Sequence, residues 1–78
     1  MVTVYRANGF RVVIFVDDHE PAHVHVFGDG EAKVNLRPDQ EPELVYAVNM
    51  TSSEVRKALR LVREQRTVLL LRWIEIHG

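Results

Sequence analysis

Cysteine and long apolar runs are both absent from this sequence of 78 residues. Without cysteine the chain forms no disulfide, and any metal site has to use histidine or carboxylate ligands in place of thiolates. No apolar stretch approaches the roughly 18 residues that a membrane-spanning helix needs. The opening segment MVTVYRANGF also lacks the basic-then-apolar pattern of a signal peptide. We therefore expect a cytoplasmic protein without a membrane partner.

An excess of charge of either sign is absent as well. The 10 Lys and Arg residues nearly balance the 11 Asp and Glu residues, for a net charge of −1, which argues against a protein devoted to coating nucleic acid. The length suits a single small domain over residues 1–78, near the lower limit at which one hydrophobic core holds a chain folded. Such a domain depends on a well-packed core, on a partner, or on a metal bound by histidine or carboxylate.

Segments rich in β-branched and aromatic residues predict four or five strands. The first four cover residues 2–6, 10–16, 23–27 and 31–36, and residues 43–49 are the candidate for a fifth. Asn8-Gly9, between the first two, is a strong signal for a two-residue hairpin turn. The short connections predict a mainly antiparallel sheet.

Two registers are open for the hairpin made by residues 23–27 and 31–36. A two-residue turn at Asp29-Gly30 would place His25 opposite Val34, on the apolar face. A three-residue loop over 28–30 aligns the valines with one another and leaves a polar set on the opposite face: His23, His25, Lys33 and Asn35. We expect the second register, because it separates polar from apolar residues and offers a glycine for a left-handed loop position.

The C-terminal third has the pattern of a helix. Thr51, followed by Glu54 three residues later, is the signature of a capping box. Apolar residues then recur at helical spacing: Val55, Leu59, Val62, Leu69 and Trp73. They predict a helix over about residues 52–76. Its end, VLLLRWIEI, is apolar nearly all round, so it is buried on several sides or meets a partner; a strand is the alternative for this run.

The predicted fold is therefore an α+β domain. A four- or five-stranded, mainly antiparallel sheet carries one long C-terminal helix packed on one face.

Three of the four histidines lie within seven positions, in the segment HEPAHVH. His23 and His25, two residues apart, project from one face of a strand, a spacing that suits a metal site on a sheet. The preceding loop offers several third ligands: Asp17, Asp18, His19 and Glu20. One hypothesis is thus a metal-binding protein that uses His19, His23 and His25. Imidazole with carboxylate suits zinc, iron or nickel.

Acid–base chemistry is the second hypothesis for these histidines. Imidazole titrates near neutral pH, so His23 and His25 with Glu20 are candidate proton-transfer groups for RNA cleavage without a metal. Arg56 or Arg60 of the predicted helix would then hold the phosphate.

Two surfaces suggest binding. Three arginines of the helix share a face at i, i+4 and i+7 and are candidates for contact with phosphate or an acidic partner: Arg56, Arg60 and Arg63. Val13, Phe15 and Phe27 occupy the non-core positions of their strands, on the face of His23 and His25. A face that mixes aromatics, valines and histidines is typical of a surface that meets another chain.

The segments HEPAHVHV and GEAKVNL resemble a widespread bacterial family of short proteins, domain of unknown function number four thousand one hundred and sixty. The resemblance runs from TVYRANGFRVVIFVDDHEPAHVHV through the hairpin and TSSEV to LRWIEIHG. Members commonly have a second proline at the position of Ala22, a difference that leaves the three histidines in place. Such genes often lie beside another small gene, in an arrangement similar to a toxin–antitoxin pair. The resemblance implies a protein partner and, as an alternative, an RNA-directed activity.

The first functional expectation is a cytoplasmic interaction module of a toxin–antitoxin-like gene pair, which associates with itself or a small protein partner and needs no cofactor. The exposed sheet face and the apolar end of the helix would form the contact. The alternatives are a small ribonuclease-type enzyme and a histidine-cluster protein that binds zinc or nickel.

Overall fold

Each strand of the sheet pairs with the strand before it in the sequence. The computed structural model describes residues 1–78 and contains five strands followed by two helices. The elements are β1 Val2–Ala7, β2 Phe10–Ile14, β3 His23–Phe27, β4 Glu31–Asn35, β5 Glu43–Val48, α1 Ser52–Glu64 and α2 Arg66–His77. The spatial order is β1-β2-β3-β4-β5, and every neighbouring pair is antiparallel. The predicted α+β class with an antiparallel sheet is confirmed, and the sheet has five strands.

The β1–β2 connection is the two-residue turn that the sequence predicts. Asn8 and Gly9 both have positive φ, at 54° and 80°. This is the backbone of the hairpin turn that matches the twist of the strands. Ala7 pairs with Phe10 on either side of it.

The β3–β4 hairpin adopts the predicted three-residue register. Val24 pairs with Val34, and His25 pairs with Lys33. The reason given for the glycines was wrong, however, because neither Gly28 nor Gly30 is left-handed. Gly30 is required by space instead: a Cβ there would collide with the backbone carbonyl of Val48. The loop therefore packs closely against the end of β5.

Alternate strand residues and both helices share one hydrophobic core. The sheet contributes Phe10, Val12, Ile14, Val24, Val26, Ala32, Val34 and Leu36, and the helices contribute Ala58, Leu61, Val62, Leu69 and Trp73. The predicted strand 10–16 is shorter than expected, because β2 ends at Ile14 and Val16 is exposed. The strand ends early because the Phe15 amide bonds to the side chain of Asp18, which turns the chain away.

Two helices replace the predicted single helix. α1 begins at the predicted capping box of Thr51 and Glu54. It ends at Glu64, and the next residue, the C-cap Gln65, has a φ of −104° and a ψ of 12°, outside helical values. The guanidinium of Arg66 donates hydrogen bonds to the backbone carbonyls of Arg37 and Gln40 in the β4–β5 connection. This link fixes the start of α2 against the sheet. Neither helix has the length and apolarity to span a membrane.

β5 differs from the other strands because all six of its residues are exposed. It forms one edge of the sheet and pairs only with β4. β1 forms the other edge, and five of its six residues are partly buried. The two edges are therefore covered to different extents.

Candidate metal centre

Strand β3 and the loop before it build a buried polar cluster on one face of the sheet. His23 and His25 alternate with Val24 and Val26, so the histidines project from the face opposite these two core residues. Their exposures are only 4% and 9%. Buried imidazoles need hydrogen-bond partners or a metal ion to replace the water they lose.

A tight turn after β2 brings Asp18 to both histidines. The Asp18 amide donates to the Phe15 carbonyl at 3.1 Å, and Asp18 Oδ2 accepts from the Phe15 amide at 3.2 Å. The same Oδ2 atom lies 3.2 Å from His23 Nε2 and 3.7 Å from His25 Nε2. One ligand atom from each of the three residues lies within 4.8 Å of the others. We call Asp18, His23 and His25 the Asp–His–His cluster.

The opposite nitrogens of both rings are held from outside the cluster. His23 Nδ1 lies 2.9 Å from the Pro21 carbonyl, and His25 Nδ1 lies 3.0 Å from Glu31 Oε2. A carbonyl only accepts hydrogen bonds, so His23 Nδ1 carries the proton. This fixes the tautomer and leaves Nε2 free to bind a metal.

Glu31 holds His25 as an ionised acceptor. Its carboxylate also accepts a hydrogen bond of 2.8 Å from the Tyr46 hydroxyl. The Tyr46 bond, followed by the His25 bond, lowers the pKa of Glu31 below its ordinary value of 4.5. Desolvation, together with the hydrogen bond to Glu31, raises the pKa of Tyr46 above 10.0. At neutral pH Tyr46 is therefore a neutral donor and Glu31 a charged acceptor, which makes His25 Nδ1 a donor too.

Aromatic side chains wall in both imidazoles. Phe15 meets the His25 ring edge-on at 4.8 Å, and the Trp73 ring lies 5.3 Å from His23. As a result, the side chain of His23 is only 6% exposed and that of His25 only 11%. Low exposure strengthens electrostatic interactions inside the cluster, because water screens them less.

If both rings are neutral, these tautomers produce electrostatic repulsion at the centre of the cluster. With both Nδ1 atoms donating outward, each neutral ring presents a lone pair on Nε2 toward the Asp18 carboxylate. Two lone pairs and a carboxylate facing one another repel unless a cation lies between them. Protonating both rings would place two positive charges on neighbouring buried imidazoles, whose centroids are 5.2 Å apart. A proton on one Nε2, donated to Asp18, or a divalent metal ion bound by all three atoms would remove this repulsion.

The cluster opens on one side to a shallow depression of about 320 Å³. Its lining includes all three cluster residues together with His19, Glu20 and Lys33. A metal ion bound by the cluster would therefore be reachable from solvent through this depression.

The comparison with protein families gives one match, over residues 9–75, to the model described as Domain of unknown function (DUF4160). The chain belongs to the DUF4160 family. The match contains the whole cluster together with Glu31, Tyr46 and Trp73. The comparison with curated proteins gives no match, and neither does the comparison with solved structures.

The predicted site residues of this DUF4160 chain fall into two groups. His23 and His25 meet in the cluster, whereas His19 is exposed at the rim of the depression and is not one of the three clustered ligands. Glu20 accepts a hydrogen bond of 3.4 Å from Trp73 Nε1.

The arginine stripe lies elsewhere: Arg56, Arg60 and Arg63 line a separate depression with Glu41, Pro42 and Leu59. The α1 core residues Leu61 and Val62 share the core with Val24 and Val26, on the opposite face of β3 from the histidines.

The expectation of an exposed Val13 was wrong, because Val13 is fully buried. It lies on a central strand, between Thr3 of β1 and His25 of β3. Phe15 and Phe27 are partly buried. Phe27 lies near His25 on one side and beneath the Arg11 guanidinium, 5.4 Å from the ring centroid. The side chains on the histidine face of the sheet therefore bury one another to a greater extent than the alternation pattern predicts.

Sequence reasoning did not single out three residues of the site. Asp18 was one of several loop candidates, and Glu31 and Tyr46 had no assigned role. The hairpin register contained a signal for Glu31, since pairing Phe27 with Glu31 places this carboxylate on the face of His25. Trp73 had been assigned only to the apolar stripe, and its contact with His23 depends on the path of α2.

Proposed function

We propose that this DUF4160 chain binds a divalent transition-metal ion, zinc in the first test, through Asp18 Oδ2, His23 Nε2 and His25 Nε2. One observation carries the proposal: the three atoms converge while both outer imidazole nitrogens are held by Pro21 and Glu31. Partners of this kind orient histidine ligands and make them more basic in metal sites.

Two of the three separations between the ligand atoms are close to those of a zinc site. Zinc–nitrogen and zinc–oxygen bonds of about 2.0–2.2 Å at tetrahedral angles separate the ligand atoms by about 3.3 Å. The Asp18 oxygen is 3.2 Å from one nitrogen and 3.7 Å from the other. The third separation, between the two histidine nitrogens, is within 4.8 Å, so rotation of these side chains would have to bring the set around an ion.

The number of ligands favours a reactive site over a purely structural one. Structural zinc sites are closed by four protein ligands, whereas catalytic sites have three and keep one position for water or substrate. The cluster supplies three and faces a depression. A metal ion held by Asp18, His23 and His25 would supply an activated water molecule at the open position, which is the chemistry of a metal-dependent hydrolase. Lys33 and His19, on the lining of the depression, are the groups available to orient a substrate.

Proton transfer by His23 and His25 without a metal has less support. A general acid or base has to reach the substrate, yet these side chains are nearly buried and both Nε2 atoms face Asp18. The arginines proposed to hold phosphate line a different depression from the histidines.

Calorimetric titration of the chelator-treated protein with zinc tests the proposal. We expect one ion per chain and loss of binding in His23→Ala and in Asp18→Asn. The matched control is His19→Ala, which removes a neighbouring histidine outside the cluster and should leave the stoichiometry unchanged. Equal zinc uptake by the wild type and Asp18→Asn, or no uptake by a folded wild type, would refute a metal site here.

Protein association is a second candidate function, favoured by the exposed apolar residues of β5 and α2. The gene arrangement that the family resemblance implies supplies a candidate partner, the product of the neighbouring gene. Co-purification of the two proteins from cells that express both genes tests this pairing. Separate elution of the two would leave only self-association.

A further inference from the structure

The outer edge of β5 is an unprotected pairing surface. Four of its six side chains are large and apolar: Leu44, Val45, Tyr46 and Val48, which are 38–52% exposed. No strand pairs with the side of β5 away from β4. An exposed edge of this composition is a template for strand addition from another chain.

The other edge of the sheet shows how this chain covers an edge. Val4, Tyr5 and Ala7 of β1 pack against the hydrophobic core. Both edge strands have an irregular register, so bulges do not distinguish them. Composition does not distinguish them either, because neither strand has lysine or proline and each has one charged residue, Arg6 in β1 and Glu43 in β5. The difference is burial: five of the six β1 residues are partly buried, whereas all six β5 residues are exposed. Charged residues and proline are the usual protection of exposed edges.

We propose that β5 pairs antiparallel with β5 of a second copy of this chain, so that two sheets join into one. The placement of the charge supports a second copy as the occupant. When the two-fold axis lies between Val45 and Tyr46, Glu43 faces Val48 and the two Glu43 carboxylates lie at opposite ends. Leu44 then faces Ala47 across the axis. The strand is thus complementary to itself, as a two-fold interface requires.

The contacts of this register are favourable. Leu44 and Ala47 pair with Val34 and Ala32 of β4, so the irregularity at Val45 leaves both side chains on one face, where they can meet across the axis. The backbone groups of the outer edge gain hydrogen bonds. This association is independent of the Asp–His–His cluster, so it holds or fails separately from the metal proposal.

Sedimentation of the full chain at micromolar concentrations, before and after substitution of Leu44, is the test. We expect a species of twice the 9.0 kDa chain mass. Leu44→Lys should weaken the dimer by at least about tenfold, because the charge would enter the apolar strand contact. A melting curve on each variant shows that the monomer is still folded.

A second substitution tests the register. Ala47→Glu combined with Leu44→Lys places opposite charges across the axis, so the double variant should recover most of the association. The control is Ile74→Lys, which alters an apolar residue on α2 that is also exposed. It should leave the dimer intact.

Three results would overturn the proposal. They are a wild-type monomer up to about a hundred micromolar, a dimer lost in Ile74→Lys but kept in Leu44→Lys, or association only with the neighbouring gene's product.

Discussion

The two imidazoles of the Asp–His–His cluster are held by different kinds of partner. His23 donates to the Pro21 carbonyl, which belongs to the backbone and survives any side-chain substitution. His25 donates to the carboxylate of Glu31. A charged acceptor on Nδ1 makes the ring a stronger ligand at Nε2 than a neutral acceptor does. His25 is therefore the ligand whose strength can be changed from outside the cluster.

Glu31→Gln should lower the affinity for zinc by about tenfold, because an amide oxygen accepts the His25 hydrogen bond without its charge. Competition with a chromophoric chelator measures the change. The matched control is Glu43→Gln, which removes a carboxylate that accepts a hydrogen bond from Asn35 on the same face of the sheet. If both variants bind zinc as the wild type does, Glu31 does not tune the site.

At this scale the sequence predicts part of the site. The two-residue period of a strand is enough to place His23 and His25 on one face. The register adds Glu31 to that face. The role of Asp18 could not be predicted in this way, because its position beside the histidines depends on the turn that its own side chain forms with the Phe15 amide. Four polar residues in one loop gave no basis for choosing among them.

At the scale of elements, the break between α1 and α2 has no counterpart in the sequence pattern. No proline or glycine lies between Glu64 and Thr67, and the apolar spacing continues from Val62 to Leu69. The interruption coincides with the bonds that Arg66 makes to carbonyls of the β4–β5 connection. A tertiary contact of this kind overrides a local preference for helix.

The start of α1, in contrast, follows the sequence closely and has a pH dependence. The backbone and side-chain hydrogen bonds of Glu54 with Thr51 lower the pKa of Glu54 below 4.5. A lowered folded-state pKa gives stability that is present above the unfolded value and is lost as the pH falls through the folded value.

Urea unfolding at pH 7 and at about pH 3 measures this contribution. Glu54→Gln should show a smaller loss of stability on acidification than the wild type, because its capping side chain does not titrate. Glu64→Gln, at the other end of α1, is the control for removing one carboxylate. The same acid sensitivity in Glu54→Gln and in the wild type would exclude a contribution from the capping box.

For the whole molecule, hydrophobic alternation predicted which residues of β3 and β4 form the core and which face away. It failed where burial has another source. Val13 is buried on the supposedly open face by its neighbours and the cluster side chains, and β5 is exposed on both faces although five of its six residues are apolar. Alternation assigns a residue to a face, whereas coverage of that face depends on side chains from distant parts of the chain.

Metal binding should raise the stability of the whole domain measurably, because so small a domain has little stability from its core alone. Zinc at about 100 times its dissociation constant stabilises a folded protein by about 2.7 kcal/mol. In a domain of this size that corresponds to a rise of about 10–20 °C in the melting temperature. Scanning calorimetry with and without zinc measures it. Asp18→Asn should show no rise, and an equal rise in this variant would point to binding elsewhere.

The order of the sheet, in which every strand pairs with its sequence neighbour, affects how the protein folds. The residues that hold and orient the proposed metal ion, apart from Tyr46, lie within the stretch 18–31. A meander of this kind has contacts of short sequence separation, which favour rapid folding. The ligands are therefore brought together by contacts that are close in the sequence, whereas the covering of His23 by Trp73 requires α2 to pack against the sheet.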